Sequence, residues 1–192
     1  HTQRIRVGSG GVMLPNHSPL MVAEQYGTLA TLYPERVDLG LGRAPGTARL
    51  TAQALRRAER ETSLHFPADV AALQRYLGDA AGQGYVKAFP GIGTHVPLYI
   101  LGSSTESAYL AAEKGLPYVF AAHFAPRMLD DALAIYRSHF RPSPSLDKPY
   151  VMVALNVIGA DSDQAAQYLA TSQQQFFLNV VRNSRQPLSP RA

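Results

Sequence analysis

Apolar residues along this chain gather in short runs, and each run is followed by a longer segment in which they recur at helical spacing. Five runs stand out, over residues 5–14, 36–42, 97–102, 116–124 and 149–158. Each is rich in Val, Leu or Ile with little polar alternation, the pattern of strands covered on both faces. The segments between them predict helices. Ser18 is a good N-cap with Pro19 at the first helical position, and Leu20, Val22, Ala23, Tyr26, Leu29, Ala30 and Leu32 follow at helical spacing up to Pro34. Further helices are predicted over 48–61, from Phe66 to Leu77, from Ser107 to Lys114, from Pro126 to Phe140, and from an Asp161–Asp163 cap to about Val181.

Strand and helix therefore alternate, which implies a parallel sheet covered by helices. An open doubly wound sheet and a (β/α)8 TIM barrel both satisfy that rule. The barrel is favoured by where the polar and glycine residues fall. Ser9–Gly11, Gly42–Arg43, Gly102–Ser104, His123 and Asn156 all sit toward the C-terminal ends of predicted strands. In a barrel those ends converge on one mouth. About five strands make the barrel incomplete. Residues 78–96 are Gly-rich and predict a surface excursion, with Tyr85–Phe89 as a short edge strand inside it. The whole chain, 1–192, reads as one domain.

Composition narrows the function. With 192 residues, 46% of them hydrophobic, the chain can bury one sizeable core. The net charge of +4 is spread along the chain, without the clustered basic stripe that nucleic acid requires. The absence of cysteine excludes disulfides and thiol catalysis. The six histidines show no spacing that puts two on one helix face, so no metal site is expected. No apolar stretch approaches the roughly 20 residues of a membrane span, and no signal peptide is visible, which gives a cytoplasmic expectation. Neither a Ser-His-Asp order nor paired carboxylates support a hydrolase.

The candidate chemistry lies at the strand ends. Gly102, Ser103, Ser104 and Ser107 place a backbone-exposing glycine and three hydroxyls where a strand hands over to a helix. The first N–H groups of a helix lack intrahelical partners and the dipole is positive there, so such a place suits a phosphate. A plain N-cap explains the same residues without a ligand. Gly8–Gly11 permits either a tight turn or the close approach of a flat ligand. Arg43 can meet a phosphate or form a surface ion pair. His123 ends an apolar strand, as a core residue or a pocket residue.

Together, Ile5–Pro19, Arg36–Gly46, Leu101–Ser104, Gly115–Pro117 and Ala122–Pro126 resemble the bacterial luciferase-like flavin monooxygenases, in particular their short luciferase-alpha-like branch. The resemblance covers essentially the whole chain. It implies a (β/α)8 barrel that binds reduced FMN at its C-terminal mouth, of which this chain holds roughly the middle, about strands three to seven. Carried over, Ser103, Ser104 and Ser107 match FMN phosphate positions, although the luciferase alpha chain has a carboxylate at Ser103. Gly10–Gly11 matches a non-prolyl cis pair beside the flavin ring. Gly42 and Arg43 match flavin-lining residues, with a cysteine in luciferase where Gly42 stands. His123 looks like a substrate-pocket residue. The family's proposed catalytic histidine lies on an earlier strand, so no catalytic base is assigned. The implied function is an FMN-dependent monooxygenase that uses oxygen and reduced flavin, supplied by a separate flavin reductase, to oxidise a small organic substrate such as an aldehyde. Alternatives are a non-catalytic flavin-binding protein and a deazaflavin-dependent oxidoreductase. The resemblance also implies a homodimer, while the spread charge and the lack of a long apolar stretch predict no nucleic-acid or membrane partner.

Overall fold

A computed structural model of the chain describes residues 2–44, 64–182 and 184. The helix expected over 48–61 and most of the tail lie outside the described residues. The elements run β1 (Val7–Gly8), β2 (Val12–Met13), α1 (Pro19–Leu32), β3 (Val37–Gly42), α2 (Phe66–Leu77), β4 (Leu98–Gly102), α3 (Thr105–Lys114), β5 (Tyr118–Ala121), α4 (Leu129–His139), β6 (Val151–Ala154) and α5 (Asp163–Arg182). The chain divides into two compact units, His1–Ala154 and Leu155–Ala192. The second holds α5, where the Ser162 hydroxyl accepts from the Ala165 N–H at 3.2 Å, within the predicted cap.

All strands of the first unit pair in parallel, in the order β1-β3-β4-β5-β6, with β2 also on β3. Strands that neighbour each other in chain order, with no reversal, are what a barrel requires; a doubly wound sheet reverses direction at a switch point. The sheet is therefore part of a (β/α)8 barrel. Its strands bury Leu39, Leu41, Ile100, Tyr118 and Phe120 against helical residues such as Val70, Leu73, Ala111 and Tyr136.

The predicted first strand is two pieces rather than one. Val7 and Gly8 face Val37 and Asp38, while Val12 and Met13 face Leu41 and Gly42. Ser9, Gly10 and Gly11 thus oppose only Leu39 and Gly40, the one-residue excess of a β-bulge. The Gly10–Gly11 peptide is cis. At the bulge, the Ser9 hydroxyl accepts from the Gly40 N–H at 3.0 Å and donates to the Gly40 carbonyl at 2.9 Å. Both backbone groups on that edge of Gly40 are thereby paired, as buried backbone demands. The approach is close enough that a Cβ on Gly40 would collide with the Ser9 carbonyl.

Within 78–96, Tyr85–Phe89 forms no strand. The buried Gln83 side chain ties this stretch down instead, donating to the carbonyls of Tyr76 and Gly78 at 2.8 and 2.9 Å and accepting from the Ala88 N–H at 3.1 Å. A side-chain amide has taken the role a ladder partner would have played. The predicted helix over Pro126–Phe140 begins as a 3-10 turn, Pro126–Met128, before α4. The strand expected over 149–158 is paired only over Val151–Ala154.

Gly40→Ala should destabilise the fold by about 1–3 kcal/mol, because the new methyl must displace backbone rather than a mobile side chain. Gly82→Ala, where a Cβ meets nothing, should stay within about 0.5 kcal/mol. Urea denaturation of both variants checks the contrast.

Candidate functional site

Register places the C-terminal strand ends side by side. Gly42 lies between Met13 and Leu101, Gly102 is opposite Phe120, and Ala121 is opposite Ala154. The candidate residues of three separate chain segments therefore share one rim.

The turn from β4 into α3 is the most highly organised part of it. Ser104 is the N-cap, with extended backbone (φ −136°, ψ 163°) and no side-chain bond to the helix N–H groups. Its carbonyl instead anchors two buried hydroxyls. Ser107 Oγ donates to it at 2.7 Å, Tyr118 Oη lies 3.1 Å from it, and the two hydroxyls are 3.1 Å apart. Burial pushes the Tyr118 phenol above its ordinary pKa, while the Ser107 bond pulls the other way. Gly102 is required by this packing, since a Cβ there would run into Ser107 Oγ and Cβ.

Glu106, in the first turn of α3, holds its carboxylate near the same donors. Its pKa lies below the usual carboxylate range because it accepts from the Ser104 hydroxyl, then from its own backbone N–H, with Arg43 adding attraction. The Arg43 guanidinium stands 3.9 Å from that carboxylate, and both side chains are substantially exposed. A negatively charged group thus sits by the helix N-terminus, a hydroxyl and a guanidinium. Ser103 and Ser104 remain half-exposed.

The remaining candidates are less tightly bound together. Gly11 is demanded by packing, its Cβ position lying 2.7 Å from the Gly40 carbonyl. Gly10 is not: a Cβ there meets nothing within 4 Å. At Gly42 the only neighbour among the described residues is the Val12 carbonyl at 3.9 Å. Among the described residues, these two glycines leave room at the rim that packing does not use. His123 follows the end of β5, its ring tilted against Phe124 with centroids 4.0 Å apart and Nδ1 3.3 Å from the Ala154 carbonyl. No hydrogen bond or ion pair among the described residues joins His123 to the Arg43–Ser104 cluster. Asn156 lies past β6, in the second unit.

Sequence reasoning missed Tyr118 and Glu106. Tyr118 reads as one more apolar residue of a buried strand, and Glu106 as one more charge at a helix start. Among the described residues no group of His, Asp and Glu can hold a metal ion, and no helix is long and apolar enough to cross a membrane.

Comparison with known proteins gives a consistent picture. The profile of the luciferase-like monooxygenase family matches residues 1–190. A protein described as luciferase-like monooxygenase in Escherichia coli K12 is 52% identical over 190 residues, covering 99% of this chain and 57% of that protein. The crystal structure of apo-MsnO8 superposes with a TM-score of 0.86 at 35% identity, covering 97% of this chain and 55% of that one. The oxygenating constituent of 3,6-diketocamphane monooxygenase from Pseudomonas putida, a type II Baeyer–Villiger enzyme solved with FMN, shares the fold with a TM-score of 0.62 at 15% identity, covering 95% of this chain and 58% of that one. The chain thus spans little more than half the length of the proteins it matches.

Replacing Ser104 with Ala should raise the pKa of Glu106 toward its ordinary value of 4.5, as read by NMR titration of the carboxyl. The sign follows from linkage. A carboxyl depressed in the folded state adds stability above its unfolded pKa, and this is lost as pH falls through the folded value. Ser104→Ala should therefore flatten the acid side of the stability profile.

Proposed function

The chain belongs to the luciferase-like monooxygenase family, and from that premise we propose that it forms the phosphate side of an FMN site in an enzyme that oxidises a small organic substrate with reduced flavin and oxygen. The observation that carries this reading is the meeting, at adjacent strand ends, of the α3 N-terminus, the Ser103 and Ser104 hydroxyls and the Arg43 guanidinium. A phosphate monoester needs this kind of donor set: several N–H and O–H groups, a cation and a positive helix end.

The residues fit the flavin in a second respect. The unused room at Gly42 and Gly10 lies on the same rim, one strand and two strands away from Gly102 respectively. In this reading the Ser104 side chain, Arg43 and the backbone N–H groups opening α3 hold the phosphate, and Glu106 gives up its place to it. Gly10–Gly11 and Gly42 let the ring system approach the backbone. His123 borders the substrate space: with Nδ1 bonded to the Ala154 carbonyl, Nε2 is the ring nitrogen left for a substrate oxygen. When bound and reduced, FMN supplies the electrons that activate oxygen. The protein's part is to orient the flavin and keep water from it. A flavin reductase is the implied transient partner, and a second copy of the chain the implied subunit.

Oxygen consumption by the full-length protein with reduced FMN and a panel of aldehydes tests the reading. Turnover above the free-flavin background is the expected result. FMN binding without turnover would make the protein a flavin carrier, and tighter binding of the deazaflavin than of FMN would move it to the deazaflavin-dependent branch. For the phosphate contacts, Ser104→Ala combined with Ser107→Ala should weaken FMN binding by about 1–3 kcal/mol. Unchanged affinity in a fluorescence-quenching titration would contradict the assignment.

A further inference from the structure

Two hydroxyls with one carbonyl between them raise a question of proton supply. A helix takes one lone pair of its N-cap carbonyl for the first intrahelical bond, which leaves one at Ser104. Two donors compete for it. Ser107 Oγ holds it at 2.7 Å, and Tyr118 Oη stands within reach at 3.1 Å. Tyr118 is fully buried and Ser107 retains 7% exposure. A serine hydroxyl has a single proton, so while it donates to Ser104 it has none for a ligand.

We propose that Tyr118 is a positioning residue that frees Ser107 for the phosphate: when the anion arrives, the Ser107 proton turns to it and the Tyr118 proton takes over the Ser104 carbonyl. This rests on the FMN reading above. In the exchange Ser107 gives up its bond to the Ser104 carbonyl for one to the phosphate, while the Tyr118 proton, which in the free protein has both Ser107 Oγ and that carbonyl at 3.1 Å, settles on the carbonyl; no proton moves between heavy atoms, and no buried carbonyl is left unpaired. Tyr118 is suited to the role because it cannot drift. Its ring packs against those of Tyr136 (centroids 5.3 Å apart) and Phe120 (6.2 Å), and Tyr136 is itself fixed by donating to the Leu116 carbonyl at 2.9 Å. Tyr118 also opens β5, opposite Ile100 of β4, so the strand that carries the hydroxyl is tied to the strand that leads into the cradle. Gly102 adds to the constraint, because no side chain there can push Ser107 aside.

The test compares FMN with riboflavin, which has the same ring system and no phosphate, on the full-length protein. Tyr118→Phe keeps the ring and removes only the hydroxyl. It should weaken FMN binding by about two- to tenfold, the effect of one neutral hydrogen bond, with riboflavin affinity unchanged. Ser107→Ala should weaken FMN as well, and Tyr118→Phe added to Ser107→Ala should cost nothing more, because there is no serine proton left to release. Ser107→Thr, which keeps the hydroxyl, should restore the preference for FMN. An unchanged FMN-to-riboflavin ratio in Tyr118→Phe would overturn the proposal, as would additive losses in the double variant. If the native protein itself prefers neither flavin, the phosphate site is wrong and the exchange falls with it. A preference in the native protein that survives Tyr118→Phe would remove the exchange alone.

Discussion

The architecture depends on how one strand keeps its partners across a bulge. Gly40 of β3 has its N–H and carbonyl directed at the place where β1 and β2 are out of step, and no backbone group of Ser9–Gly11 is in register to meet them. The Ser9 hydroxyl takes both roles, accepting from one and donating to the other. With that pair satisfied, β3 can hold β1 and β2 on one side and β4 on the other. The bulge then brings Gly10 and Gly11 to the rim while the ladder continues to Met13 and Gly42. Without the hydroxyl, the buried Gly40 N–H would lose its partner, at a cost of about 1–3 kcal/mol.

From there the sheet sets out its chemistry through strand order alone. Parallel neighbours in chain order put successive strand ends next to one another, so residues far apart in sequence share one edge. Arg43 reaches Glu106 this way, from the end of β3 to the start of α3. The cradle at Ser104 is held from below by buried hydroxyls and from the side by the requirement for glycine at 102. Its upper side carries exposed, exchangeable groups: Arg43, Glu106 and the serine hydroxyls. A buried, hydrogen-bonded base thus carries an exposed charged rim. The Glu106 carboxylate stands beside the same groups, 3.9 Å from the Arg43 guanidinium.

Much of this was legible in the residues. Every strand falls within a predicted apolar run, and α2 matches its predicted end residues because a one-sided helix leaves a period near 3.6; yet only β3, β4 and β5 bury much of their run, while Val7, Met152 and Val153 are exposed. Glycines and hydroxyls past those runs marked the rim. What was not legible depends on partners distant along the chain. Ser9 meets Gly40 at a separation of 31 residues, and Tyr118 reaches the Ser104 carbonyl at a separation of 14. No local pattern distinguishes a tyrosine that packs from one that also donates. Tyr85–Phe89 misled for a related reason. Its residues suit a strand, but the buried Gln83 amide satisfies the segment's anchoring groups and leaves Tyr85 and Phe89 in solvent.

The central claim is that the α3 N-terminus and its hydroxyls receive a flavin phosphate at the rim of the barrel. A crystal structure of the full-length protein with FMN bound tests it most directly. The account predicts the phosphate within hydrogen-bond distance of the Ser104 hydroxyl and the opening N–H groups of α3, with Arg43 turned from Glu106 toward it. A phosphate bound elsewhere, with the Arg43–Glu106 pair and the Ser107–Ser104 bond undisturbed, would contradict it.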